Sequence, residues 1–152
     1  MFKLFHNQIT QEQINAVASG LSAGDRMEIE ALGYDDYAKA LSESIDHSET
    51  YTYITTKDGT PAAIAGVAPT GDMIGGVWLL TTDAVRTSPL SFVKQAKYWL
   101  ARQKSQYIML HNIADARNTN HLKLLKVLGF KRLSYVAAGP YNRTFVEFAK
   151  LI

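Results

Sequence analysis

Residues 74–91, IGGVWLLTTDAVRTSPLS, and residues 118–130, NTNHLKLLKVLGF, decide how this chain folds. The first string reads as an apolar strand from Ile74 to Thr82, then a polar loop, then a helix opening at Ser88-Pro89. Serine is a favoured N-cap, and proline suits the first helical position, where an N–H would lack an intrahelical partner anyway. The second string is a short helix that starts at Asn118. Leu122, Leu125 and Leu128 turn inward at helical spacing, and Gly129 stops it. Between the two lie a helix to about Lys104, with Leu90, Phe92, Val93, Ala96, Trp99 and Leu100 as its buried stripe, and an apolar strand over residues 107–113.

Working outward, Thr10-Gln11-Glu12-Gln13 forms a capping box for a helix reaching Gly20. A second helical stretch runs from Asp25 to about Gly33, and a third from Tyr34 to Ser44. Residues 50–56, TYTYITT, are β-branched and aromatic. The turn Lys57-Asp58-Gly59-Thr60 then joins them to a strand of small residues over 61–68. Small side chains at mid-strand imply that something, such as a helix, packs closely there. Residues 130–136 and 144–148 supply the last strands, joined by a Gly139-Pro140 turn. Hairpin strands in the middle and helix-linked strands afterwards predict a mixed α/β sheet of about six strands. No repeat or linker divides residues 1–152, so a single domain is expected.

Composition excludes several functions. Hydrophobic residues make up 47% and charged residues 20% of 152 positions, a globular balance. With no cysteine, disulfides, thiolate metal sites and a cysteine nucleophile are ruled out. A net charge of +2 argues neither for nucleic acid nor for a membrane, and no segment has the roughly 18 apolar residues of a span. The expected location is the cytoplasm, or wherever a cytoplasmically made protein is packaged. His6, His47, His111 and His121 lack metal-ligand spacing, so no metal is expected. Gly71 to Gly76 precedes a strand and reads as turn and bulge.

Element order, lengths and the ending Asn118…Leu128-Gly129-Phe130 resemble the GNAT N-acyltransferases over about residues 10–150. More narrowly, Gly76-Val77-Trp78, Thr82-Asp83, Arg86, Ser88 and Asn118-Thr119 look like the small GNAT-like internal virion proteins of short-tailed phages. The resemblance implies a mostly antiparallel sheet with helices on both faces and one splayed strand pair that holds acetyl-CoA. It also implies host cytoplasm or the phage particle as location, with virion or host proteins as partners. The implied cofactor contacts are Leu80, Thr81, Thr82, Arg86, Thr87, Ser88, Ser91, Asn112 and Asn118.

Two positions depart from the family pattern. Arg86-Thr87-Ser88-Pro89-Leu90-Ser91 aligns with Arg/Gln-x-x-Gly-x-Gly/Ala, whose backbone N–H groups and helix dipole hold the pyrophosphate. Pro89 replaces the central glycine, and proline fixes φ and donates no hydrogen bond. Losing one charge-assisted bond costs about 1.5–3 kcal/mol, a roughly tenfold to hundredfold drop in affinity. Leu125 stands where many members carry a tyrosine that protonates the leaving thiolate, a contribution of roughly 10²–10⁴-fold.

Members often carry a basic glutamate on the diverging strand, but residues 74–82 include no acid. Asp83 and His111 are the nearest candidate bases, although a strand-end histidine bonded to backbone is the plainer reading of His111. The lysines and arginines of 94–104 and 123–132 read as solvated faces, or as contacts to a cofactor phosphate or acidic partner. Two functions follow: a degenerate, non-catalytic acetyltransferase-like protein working by protein contact, or an active enzyme acetylating a small-molecule or protein amine.

Overall fold

The computed structural model describes all 152 residues, and its seven strands form one sheet in the order β1-β2-β3-β4-β5-β7-β6. The strands are β1 (Phe2–His6), β2 (Thr50–Thr56), β3 (Pro61–Gly71), β4 (Ile74–Thr81), β5 (Met109–Asp115), β6 (Lys131–Ala138) and β7 (Arg143–Leu151). The helices are α1 (Gln11–Ser19), α2 (Ala23–Ala31), α3 (Tyr37–His47), α4 (Pro89–Arg102) and α5 (Thr119–Val127). Every neighbouring pair is antiparallel except β4 and β5.

The seventh strand is β1, which the sequence did not announce because five residues with one lysine make a weak alternation. Tertiary contacts pin it. Phe2 meets Phe92 edge-on at 5.6 Å, and His6 lies within hydrogen-bond distance of Thr52 Oγ1 (2.8 Å) and Arg102 Nη1 (2.7 Å).

Local rules explain most elements. Thr10 Oγ1 accepts from the Gln13 N–H while Gln13 Oε1 accepts from the Thr10 N–H, closing the capping box on α1. Gly129 adopts φ +92° beyond α5, as a helix stop requires. In β3 the small residues admit a partner: a Cβ on Gly66 would lie 2.6 Å from the Trp78 ring. That partner is a cross-strand tryptophan, with α1 and α3 packed over the same strand.

Two apolar layers sandwich the sheet. On one face α4 and α5 bury Trp99, Leu100, Leu125, Leu128, Phe130 and Phe148 together. On the other, Val17, Leu21, Leu41 and Ile64 pack beneath α1 to α3. One stripe residue is misplaced: Leu90, in the first turn of α4, is 86% exposed.

The expected splayed pair is present. β4 and β5 pair only at Ile74↔Met109, Gly75↔Leu110 and Gly76↔His111, and then diverge toward Thr81 and Asp115. Gly75 keeps the closed end tight, since a Cβ there would strike the Tyr107 ring and Val67. Just beyond the last pair, Asn112 Nδ2 donates to Val77 O at 2.9 Å, so a side chain substitutes for the missing ladder bond.

Candidate functional site at the strand split

A split sheet leaves backbone N–H and C=O groups facing a gap, and buried groups of that kind need partners. Here the partners come from α2 and the turn before it. The Thr81 N–H donates to Asp25 Oδ2 at 2.8 Å, the Thr81 hydroxyl donates to the same oxygen at 3.0 Å, and Thr81 O accepts from the Ser22 N–H at 2.9 Å. Across the gap, the Asp115 N–H donates to Glu28 Oε1 at 2.6 Å. Asp25 and Glu28 are three residues apart on one face of α2, so each carboxylate reaches a different lip of the split.

Asn118 ties the plug together. It was expected to cap α5 and face a cofactor, but its side chain makes no capping bond. Instead Asn118 Nδ2 donates to Asp25 Oδ1 at 2.9 Å, deep in the fold. Gly24 makes the approach feasible, because a Cβ at that position would collide with the Asn118 amide.

Asp25, 2% exposed, accepts three hydrogen bonds, from the Thr81 N–H and hydroxyl and from the Asn118 amide. Burial pushes the Glu28 carboxyl up to about 8, helped by the charges of Asp25 and Asp115 and opposed by the Asp115 amide and Asn118. Burial also holds the His121 imidazole below its ordinary value, against the pull of Asp25. Asp115 is held low: hydrogen bonds from the Arg117 side chain and backbone outweigh the opposing effect of burial.

Two clefts open on either side of this plug. The larger, about 370 Å³, is lined by Glu28, Tyr34, Glu43, His111 and Asn112. Within it Tyr34 donates to Glu43 Oε2 at 2.6 Å, which raises the phenol's pKa. The smaller, about 230 Å³, lies between Arg86-Pro89 and Asp25-Asn118. An apolar cavity of about 50 Å³ sits beneath, and His121 borders all three spaces.

The residues singled out from sequence divide accordingly. Thr81, Arg86 and Asn118 line the smaller cleft, and Leu80, His111 and Asn112 line the larger. His111 Nε2 lies 2.8 Å from Thr70 Oγ1, a side-chain partner rather than the backbone one expected of a strand-end histidine. Thr82 also borders the smaller cleft, but its hydroxyl is committed, donating to Pro61 O at 2.8 Å and accepting from the Ala84 N–H at 3.2 Å. Thr87 donates to Ala84 O at 2.7 Å within its own turn. Asp83 is solvent-exposed, 3.9 Å from Arg86, and borders none of these spaces. Ser88 and Ser91 are half-buried at the start of α4, and Ser88 makes no capping bond.

Acidic side chains therefore reach the split from α2 and not from β4. Asp25 and Glu28 escaped the sequence reading because helical spacing gives the face of α2 but not the depth of the split it enters, and His121, on α5, was weighed only as a metal ligand. As placed, these residues leave a weakened site for a cofactor's pantetheine arm and pyrophosphate. Both backbone groups of Thr81 are taken, and Pro89 presents no N–H to a phosphate.

No protein-family model and no curated protein sequence matches the chain. Solved structures do match in shape. An acetyltransferase of the GNAT family from Bacillus anthracis superposes with a TM-score of 0.70 at 11% identity, covering 99% of this chain and 98% of that one. The aminoglycoside acetyltransferase AAC(6')-Ib, in complex with coenzyme A, gives 0.69 at 14% identity over 98% and 95%. A spermidine N-acetyltransferase from Vibrio cholerae, with coenzyme A and spermine, gives 0.69 at 7% identity over 97% and 95%. At such identities the likeness is one of architecture, and it is near complete in both directions: this chain has the fold of the GNAT acetyltransferases.

Proposed function

We propose that this is a degenerate acetyltransferase-like protein that has given up ordinary acyl transfer and works through contacts with other proteins. The setting, a short-tailed phage particle or the cytoplasm of its host, rests on the sequence resemblance alone. Thr81 carries the reading. The resemblance assigns the backbone of this strand to the cofactor, and here Asp25 and Ser22 already bond Thr81's N–H, hydroxyl and carbonyl. Pro89 removes a donor at the anion end, and Leu125 lies buried in the apolar layer and can donate no proton.

A thermal-shift titration with acetyl-CoA tests the reading. No shift at millimolar cofactor is expected. A ligand at roughly 100 times its dissociation constant would stabilise the fold by about 2.7 kcal/mol, and a shift of that size would overturn the proposal. The setting is tested separately by mass spectrometry of purified particles: absence of the chain removes the virion version.

A second reading, acetylation of an amine, is favoured by the larger cleft. Glu43 gives it an acidic group that suits a cationic amine, and Glu28, pushed up to about 8 by burial, titrates near the pH where a general base is effective. Two proteins that share this fold are an aminoglycoside acetyltransferase and a spermidine N-acetyltransferase. This reading requires α2 to withdraw from Thr81. Release of free coenzyme A thiol in the presence of spermine would establish it.

A further inference from the structure

The last strand of the sheet, β6, pairs only with β7, so its outer edge is open along eight residues. Such edges are templates for another strand and are usually blunted by charge, proline or a bulge. In β6 the bulge lies between Arg132 and Ser134, and the charges are Lys131 and Arg132, all at one end. The rest, Ser134-Tyr135-Val136-Ala137-Ala138, carries no charge and no proline. Leu133 and Tyr135 are 59% and 69% exposed.

At the Lys131–Arg132 end of this edge lies an apolar groove of about 470 Å³. Phe130, Leu122 and Phe148 are among its floor residues, and Lys126, Lys131 and Arg132 form its rim. None of these three cations is in an ion pair; the salt bridges of the fold are Arg86–Asp83 and Arg117–Asp115. Between Asn118 and Ile152 the chain has six cations, Lys123, Lys126, Lys131, Arg132, Arg143 and Lys150, against one acid, Glu147. The protein as a whole has a net charge of only +2, so positive charge is concentrated in this C-terminal stretch of the chain.

The geometry points to β6 and its basic groove as the docking site for an extended acidic segment of a partner protein, which adds to the sheet as an eighth strand. The inference rests on the protein-contact reading and names the chemistry of that partner. Main-chain pairing to β6 supplies affinity, alternate apolar side chains enter the groove, and acidic residues between or beside them meet the cationic rim. A nucleic acid would use the cations, but not the strand edge or the apolar floor.

The test uses the full chain and a fluorescein-labelled peptide of alternating Glu and Val, read by fluorescence anisotropy. Its Lys–Val counterpart and an eight-nucleotide oligothymidylate are the comparison probes. The Glu–Val peptide is expected to bind at least tenfold more tightly than either. Lys131→Glu with Arg132→Glu, both exposed, should weaken it at least tenfold, and Lys126→Glu on the neighbouring helix at least threefold. Hydrogen exchange should show new protection on β6 between Ser134 and Ala138. Absent binding, equal binding of both peptides, unprotected β6 amides or tighter binding of the oligothymidylate would each overturn the proposal. The acetyl-CoA titration separates the two failures: a cofactor shift removes the non-catalytic reading, whereas loss of peptide binding without a shift removes only this surface.

Discussion

Besides the short outer edge of β1, strand edges are left unpaired at the internal split and along β6, and the chain treats these two differently. At the internal split, the lips at Thr81 and Asp115 are bonded by Asp25, Ser22 and Glu28, with Asn112 and Asn118 bridging the space. At the outer edge of β6 no side chain or loop covers the strand. Unpaired backbone groups can be bonded within the protein when buried, or left to water and partners when exposed. The internal edges, where this fold's enzymes hold a cofactor by the resemblance, are closed from within. The edge available to another chain remains open.

Removing the internal closure should have the largest effect. Asp25→Ala leaves the Thr81 N–H, the Thr81 hydroxyl and the Asn118 amide without their common acceptor. Loss of hydrogen bonds to a buried charge is expected to cost about 3 kcal/mol, read from the urea midpoint at constant m-value. If Asp25 alone blocks the split, the variant should also gain an acetyl-CoA-dependent thermal shift that the parent lacks. Gly24→Ala acts by steric force on the same contact, since its Cβ would meet the Asn118 amide. Overpacking predicts a loss of about 2 kcal/mol in the same urea experiment, partly offset by alanine's better helix propensity. An unchanged midpoint would mean that Asn118 moves aside freely.

Much of the architecture was legible because it rests on local rules. The capping box at Thr10, the Ser88-Pro89 start and the Gly129 stop each state a boundary, whereas the split between β4 and β5 was implied only by the family resemblance. The plug was not legible. Asp25 and Glu28 read as ordinary charges in a short helix, and their burial depends on α2 packing against α5 and β5, residues some 90 positions away. Asn118 misled for a related reason: its place at the helix start was right, but tertiary structure redirected its side chain from the cap to Asp25. Leu90 failed in the opposite sense, fitting the apolar period while standing exposed in the first turn of its helix.

The internal closure also has a pH signature. Glu28 titrates near 8 in the folded chain, against an ordinary value of 4.5. Between those values the unfolded state has released a proton that the folded state retains, so stability falls as pH rises through this window. The slope from this group alone approaches 1.4 kcal/mol per pH unit. Glu28→Gln should flatten it, measured as urea midpoints from pH 5 to pH 8. His121, held low by burial, works in the opposite direction below its ordinary value, where only the unfolded state gains a proton. A parent protein whose stability rises steadily from pH 6.5 to 8 would show that Glu28 is ionised and that the split admits water.

The smallest effect on stability belongs to the outer edge, and its smallness sharpens the contrast. Lys131 and Arg132 are exposed and form no ion pair within the chain. Reversing both charges should shift the urea midpoint by no more than about 0.5 kcal/mol. Removing like charge from the cluster with Lys126 could even make the change slightly favourable. A loss above about 2 kcal/mol would mean that these cations hold the fold together, and a strand edge under such constraint would not be free to take a partner. Near-zero cost in stability together with a tenfold loss of peptide affinity is the combination expected of residues retained for binding. Asp25 should behave conversely, with a large cost in stability and no effect on the peptide, because it bonds the inner lips of the split and has no contact with β6.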